Sequence, residues 1–259
     1  MELPAYIWLK KTKKGLKTIR NIIVFAVLMT SISVFAQRNR YTRTKISNLS
    51  TFDDKFMHFG FSLGINSSDF TIDYDLSRND SLKRLEVDPQ LGFNLGIVTD
   101  LHLGPHFNLR FIPTLSFSQR NVQYEFRSFR GEVDQKFSKP VESTYLDFPL
   151  NLKLRSARDN NFAAYVLGGF MYSYDLVSQE DSRNNSSNPD DIVIKLSKNT
   201  YHYQVGFGFD FFLQYFKFSP EFKLSMGLGD QLIQDNTLFA NPIDRIRSRV
   251  FLVSLTFEG

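Results

Sequence analysis

Four histidines, a glycine-rich run and scattered charges inside apolar stretches are the positions at which chemistry could reside. His102 and His106 stand four apart, a spacing that puts two imidazoles on one helical face as metal ligands. Here Leu103-Gly104-Pro105 lies between them, which is turn chemistry and points to an ordinary polar turn. His202 sits inside an alternating stretch, where with a serine it would suit a lipid-modifying enzyme, but the sequence names no partner for it. Gly206-Phe207-Gly208-Phe209-Asp210 touches on glycine-rich nucleotide motifs. It lacks the third glycine and the strand-to-helix turn those motifs need, so its glycines read as places where bulk does not fit. The Asp and Asn of residues 179–191 could hold calcium, but they lack the ordered spacing of a calcium loop and read as solvated. Cysteine is absent, which removes disulfides, thiolate metal sites, a cysteine nucleophile and a lipoprotein anchor. The reading is of a non-enzyme with no catalytic, cofactor-binding or metal residues and no small-molecule substrate.

The elements that carry these residues alternate with period two, the pattern of strands. Phe59, Phe61, Leu63 and Ile65 alternate with His58, Gly60, Ser62 and Gly64. Leu91, Phe93, Leu95 and Ile97 follow, then Phe107, Leu109, Phe111, Leu115 and Phe117. Leu146 to Leu154, Tyr201 to Phe211, Phe216 to Met226 and Phe251 to Phe257 repeat the scheme, and residues 162–174 carry apolar side chains on both faces. That predicts eight strands, each long enough to cross a bilayer when tilted, for which about nine to eleven residues suffice. The connections alternate too. Those at 103–105, 156–161 and 214–215 are short, and those at about 67–90, 119–142, 175–200 and 227–248 are long and polar. Short periplasmic turns and long outer loops mark membrane barrels.

Side-chain size decides which face points where. An eight-stranded barrel is only wide enough for side chains to fill. Rows of Phe and Leu would overfill it, whereas Gly, Ser and Asn with a few long charged residues fit. The apolar face therefore meets lipid. Arg110, Lys153 and Lys223 are predicted to pair inside with Asp147, Asp210 and Glu221, because uncompensated buried charge is costly. The single Trp, Trp8, precedes the strands, so the interfacial girdle is assigned to Tyr165, Tyr172, Tyr201, Tyr203, Phe211 and Tyr215.

The formal charge of +4 arises at the start of the chain. Residues 1–36 hold six basic residues and one acidic, leaving residues 37–259 near neutral. No basic folded face speaks for nucleic acid. A basic region ending at Arg20, an apolar run from Ile22 to Phe35 and the small-residue site Val34-Phe35-Ala36 read as a signal peptide. The run is short for a membrane-spanning helix, although an uncleaved anchor is the alternative. The expected organisation is a signal peptide (1–36), a polar, loosely attached periplasmic lead-in (37–55) and a barrel (56–259). The fold expected is all-β, an eight-stranded antiparallel transmembrane β-barrel in the outer membrane, with lipid and the barrel-assembly machinery as partners.

One stretch is more specific. Asp53-Asp54-Lys55 leading into His58-Phe59-Gly60-Phe61-Ser62-Leu63-Gly64 resembles the opening strand of the PorT family, in which an Asp-Asp-basic stretch precedes His-Phe-Gly-Phe-x-Leu-Gly. Asp53, Asp54, His58, Phe59, Gly60, Phe61 and Gly64 carry that resemblance. Tyr145-Leu146-Asp147-Phe148-Pro149-Leu150-Asn151-Leu152-Lys153 and Phe218-Ser219-Pro220-Glu221 resemble later strands of the wider group of such barrels. The resemblance covers about residues 50–259. It implies an outer-membrane component of the type IX secretion system, the exporter of Bacteroidetes bacteria that also supports gliding motility, with other secretion proteins as partners. It supplies no catalytic residues. A filled lumen cannot pass a folded protein, so the implied role is accessory; a structural or adhesive small barrel is the alternative.

Overall fold

The computed structural model describes residues 47–75, 81–127, 135–180, 192–235 and 237–259. The expected signal peptide, the first part of the lead-in and residues 181–191 of the acidic loop lie outside the described residues.

Nine strands form one closed antiparallel sheet: β1 (Met57–Tyr74), β2 (Leu82–His102), β3 (Phe107–Phe111), β4 (Thr114–Phe126), β5 (Gln135–Arg155), β6 (Phe162–Asp175), β7 (Asn199–Phe212), β8 (Lys217–Gly227) and β9 (Ile243–Glu258). Neighbours in sequence pair in turn, and β1 closes the ring by pairing with both β2 and β9. β3 and β4 both lie between β2 and β5. They are one stave interrupted at Ile112-Pro113, where proline cannot donate to the ladder. The barrel therefore has eight staves, as the alternation predicts.

Along β1 and β7 the outward residues are exposed and apolar, and the inward ones are buried and small or polar. Phe61, Leu63, Leu95, Leu152, Val205, Phe207 and Leu255 belong to a belt that runs round the molecule. A continuous apolar surface of this kind is not tolerated in water, so the belt is the lipid-facing surface.

The strands are longer than the alternation suggests, and the long connections correspondingly shorter. β1 reaches Tyr74, β2 begins at Leu82 and β5 at Gln135, so much of 67–90 and 119–142 is strand and not loop. Above the belt the facing inverts. Outward positions become polar, with cross-strand ion pairs Arg249–Asp69 at 2.5 Å and Arg247–Asp73 at 3.2 Å. Inward positions become apolar. Phe70, Leu82, Leu85, Val122, Tyr124 and Phe126 close round Phe239, with Ile194, Leu196, Leu232, Ile243 and Ile246. A single rule of apolar-outward reading passes over this region, because outside the lipid an extended strand must bury its apolar face like a soluble sheet.

Tyr165 is corrected in position. It is 3% exposed and points into the lumen, not to the membrane interface. A Cβ at Gly208 would lie 2.4 Å from the Tyr165 hydroxyl oxygen, and one at Gly206 would lie 3.3 Å from Leu167. Gly208 thus opens the room that Tyr165 of β6 occupies, while at Gly206 the first obstacle is the Phe222 carbonyl oxygen of β8 at 2.5 Å. Tyr201 and Tyr215 remain exposed on the outer surface.

Candidate functional site

The lower lumen, at the end carrying the short turns, holds a network of eight charges. Arg110 on β3 donates to Glu221 on β8 at 2.6 Å and to Glu258 on β9 at 2.7 Å, and its Nε lies 3.3 Å from Asp100 on β2. Lys217 meets Glu258 at 2.7 Å, Lys223 meets Glu221 at 2.7 Å and Lys153 meets Asp210 at 2.8 Å. The Tyr165 hydroxyl donates to Glu221 at 2.8 Å, and its ring lies 3.7 Å from the Lys153 ammonium. Four carboxylates face four cations, so the network is neutral as a whole, the condition for keeping charge away from water.

Of the charges singled out in the sequence, the structure brings Arg110, Lys153, Lys223, Asp210 and Glu221 into this network. Asp147 is the exception: its nearest partner is Ser173, whose hydroxyl donates to it at 2.5 Å, and it makes no ion pair among the described residues. Asp100, Lys217 and Glu258 were not singled out from the sequence. Asp100 continues the inward parity of Asn94 and Gly96, and Glu258 continues that of Ser254 and Thr256, so extending each strand to its true end would have found both.

Below the network, residues 47–55 lie across the mouth of the barrel. Phe52 is buried, stacks on His58 with ring centroids 3.8 Å apart, and meets Phe212 edge-on at 5.8 Å. His58 bonds through Nε2 to the Phe52 carbonyl at 2.7 Å. Asp53 accepts from Arg155 at 2.8 Å and lies 3.7 Å from Arg158. Arg158 also donates to the carbonyls of Asn48 and Leu49, and its guanidinium lies 3.7 Å from the Phe212 ring centre. The described part of the lead-in is thus docked, where the sequence suggested loose attachment. Leu49 and Phe52 are its two apolar residues and provide the anchor; their three-residue spacing in a polar stretch was the available signal.

The motif residues divide by role. Asp53 and His58 hold this plug. Asp54 is exposed. Phe59 and Phe61 face lipid. A Cβ at Gly60 would fall 1.9 Å from the Phe257 carbonyl oxygen, while at Gly64 the first obstacle is the Leu252 side chain at 3.0 Å. Gly60 therefore permits the backbone approach that closes β1 on β9.

Higher in the lumen, a polar chamber of about 40 Å3 is lined by Asp147, Ser173, His202, Gln204 and Ser248 among others, room for about two or three waters. His202 faces Ser173 at 3.5 Å through Nδ1 and Ser248 at 3.2 Å through Nε2. A nucleophilic triad needs the serine to donate to the histidine and the carboxylate to orient the histidine from its other nitrogen. Here Ser173 donates to the carboxylate instead, and Ser248 takes the second ring nitrogen. The arrangement leaves neither serine donating to a histidine that a carboxylate orients. His102 and His106 flank the first short turn, and His106 bonds through Nδ1 to the Arg155 carbonyl at 3.1 Å. Among the described residues no His, Asp and Glu group is arranged to hold a metal ion.

A family model described as outer membrane protein beta-barrel domain matches residues 35–232. No curated protein matches. Among solved structures, the chain is similar to the outer membrane protein OprG from Pseudomonas aeruginosa, with 16% identity, coverage of 78% of this chain and 92% of that one, and a TM-score of 0.42. It is similar to Neisserial surface protein A, with 9% identity, 78% and 96% coverage and a TM-score of 0.41. It is also similar to Ail, the attachment invasion locus protein of Yersinia pestis, with 14% identity, 79% and 100% coverage and a TM-score of 0.35.

Proposed function

From the premise that the chain belongs to the outer membrane protein beta-barrel domain family, we propose that it serves the type IX protein secretion and gliding machinery as a non-enzymatic accessory barrel and not as the conduit. It is an outer-membrane protein, and its short turns then lie on the periplasmic side. The observation that carries the accessory reading is a lumen closed at both ends. Phe52 and the ion network occupy the periplasmic end, and the apolar group round Phe239 occupies the outer end. The secretion reading is supported by the opening-strand resemblance. Two of its residues, Asp53 and His58, fix the lead-in at the mouth, the place from which a periplasmic partner would meet the barrel.

Deleting the gene and assaying the culture medium for type IX cargo tests this. The expected result is cargo retained in the cells, with export restored by the full chain; normal export in the mutant overturns the secretion role. A structural or adhesive role is favoured by one observation, the packed outer platform built on the apolar group round Phe239. Normal export with reduced surface attachment would select it.

A further inference from the structure

The outward column of β9 changes character at one point. Phe257, Leu255, Val253 and Phe251 face lipid, and the next three outward positions are Arg249, Arg247 and Arg245. Strand geometry sets successive guanidinium-bearing residues about 7 Å apart, climbing from the upper edge of the belt. The outward positions Gln119, Glu142, Tyr201 and Met226 carry no cation, and the exposed Lys83 and Arg84 of β2 are paired with Glu125 and Glu86, so this column holds the run of three arginines. β8 stops pairing at Met226, opposite Arg249, and beyond it a loop takes its place, with Asp230 accepting from the Ile246 amide and Gln231 donating to the Ile246 carbonyl.

On the β1 side Asp69 and Asp73 each engage one terminal nitrogen of Arg249 and Arg247. A guanidinium has five N–H donors, so these pairs leave Arg249 and Arg247 with donors to spare. Its planar fork matches phosphate oxygens in pairs.

We propose that Arg245, Arg247 and Arg249 form a ladder that binds the phosphate of an outer-leaflet glycolipid headgroup. The continuity of the column selects a lipid over a free anion. Acyl chains lying against Phe251 and Val253 place their headgroup at the height of the arginines.

The test uses the purified full barrel in phosphatidylcholine vesicles doped with a bisphosphorylated glycolipid, counting retained glycolipid by native mass spectrometry. The triple variant R245Q/R247Q/R249Q should retain at least about tenfold less. D69N/D73N should retain the wild-type amount, and millimolar inorganic phosphate should not displace the lipid. Wild-type retention by the folded triple variant overturns the proposal. So does an equal loss in D69N/D73N, which would make the ion pairs a brace for the sheet, and so does displacement by free phosphate. Should the triple variant fail to fold, Arg245→Gln leaves both ion pairs intact. It should lower retention about fivefold, and an unchanged value overturns the proposal.

Discussion

At the scale of single residues, Arg110 organises the lumen, because among the described residues it alone meets three carboxylates, Asp100, Glu221 and Glu258. Removing one partner of a buried ion pair costs about 3–5 kcal/mol, since the charge left behind has no water to turn to. Arg110→Met should therefore lower stability by about that amount in urea unfolding from detergent. Asp147→Asn, which keeps an acceptor for Ser173, should cost under about 1 kcal/mol. Tyr124 is the titrating residue of the outer cap. Its hydroxyl donates to the Phe239 carbonyl at 3.1 Å, and burial pushes its pKa well above the ordinary tyrosine range. The folded cap favours the neutral phenol. The stability it contributes is complete below about pH 10 and declines as the pH rises toward the folded-state value. Alkaline titration should loosen the wild-type cap, read as new protease cleavage of the outer segments, and Tyr124→Phe should remove the pH-dependent part. The sequence made the signs of the lumen charges legible from their parity. It could not show which cation meets which carboxylate, because that depends on side chains crossing the barrel: Arg110 and Glu258 are 148 residues apart.

At the scale of elements, alternation in the belt was legible on the staves where lipid outside and a narrow lumen inside impose one rule, but not on β6, where Tyr165 and Leu167 put bulk inside. Strand ends were not, because beyond the belt solvent replaces lipid and the facing inverts. The docked lead-in was hidden for a related reason. Phe52 gains its burial from His58 and Phe212, which belong to β1 and β7, far apart in the chain. Ring closure rests on β1 meeting β9, and its glycines differ in what they tolerate. A methyl at Gly60 would strike backbone, whereas one at Gly64 would first meet the flexible end of Leu252. Gly60→Ala should cost about 1–3 kcal/mol through overpacking and reduce the heat-modifiable, folded band after refolding. Gly64→Ala should refold nearly as well as wild type. Equal behaviour of the two would refute the assignment of Gly60 to closure.

At the scale of the whole molecule, three layers follow one another along the barrel axis: an aromatic plug and ion network, a polar chamber, and an apolar cap. Each matches its surroundings in kind, charge paired with charge, hydroxyl with amide, ring with ring. Together they close the barrel along its axis, so the accessory role proposed for it is one exercised at its end faces. Conductance tests this directly. Purified protein, shown to be inserted by heat-modifiable mobility of the same proteoliposomes, should add no stepwise ion current to a planar bilayer. Stable, repeated conductance steps of the open-pore kind would contradict the closed lumen and with it the accessory role.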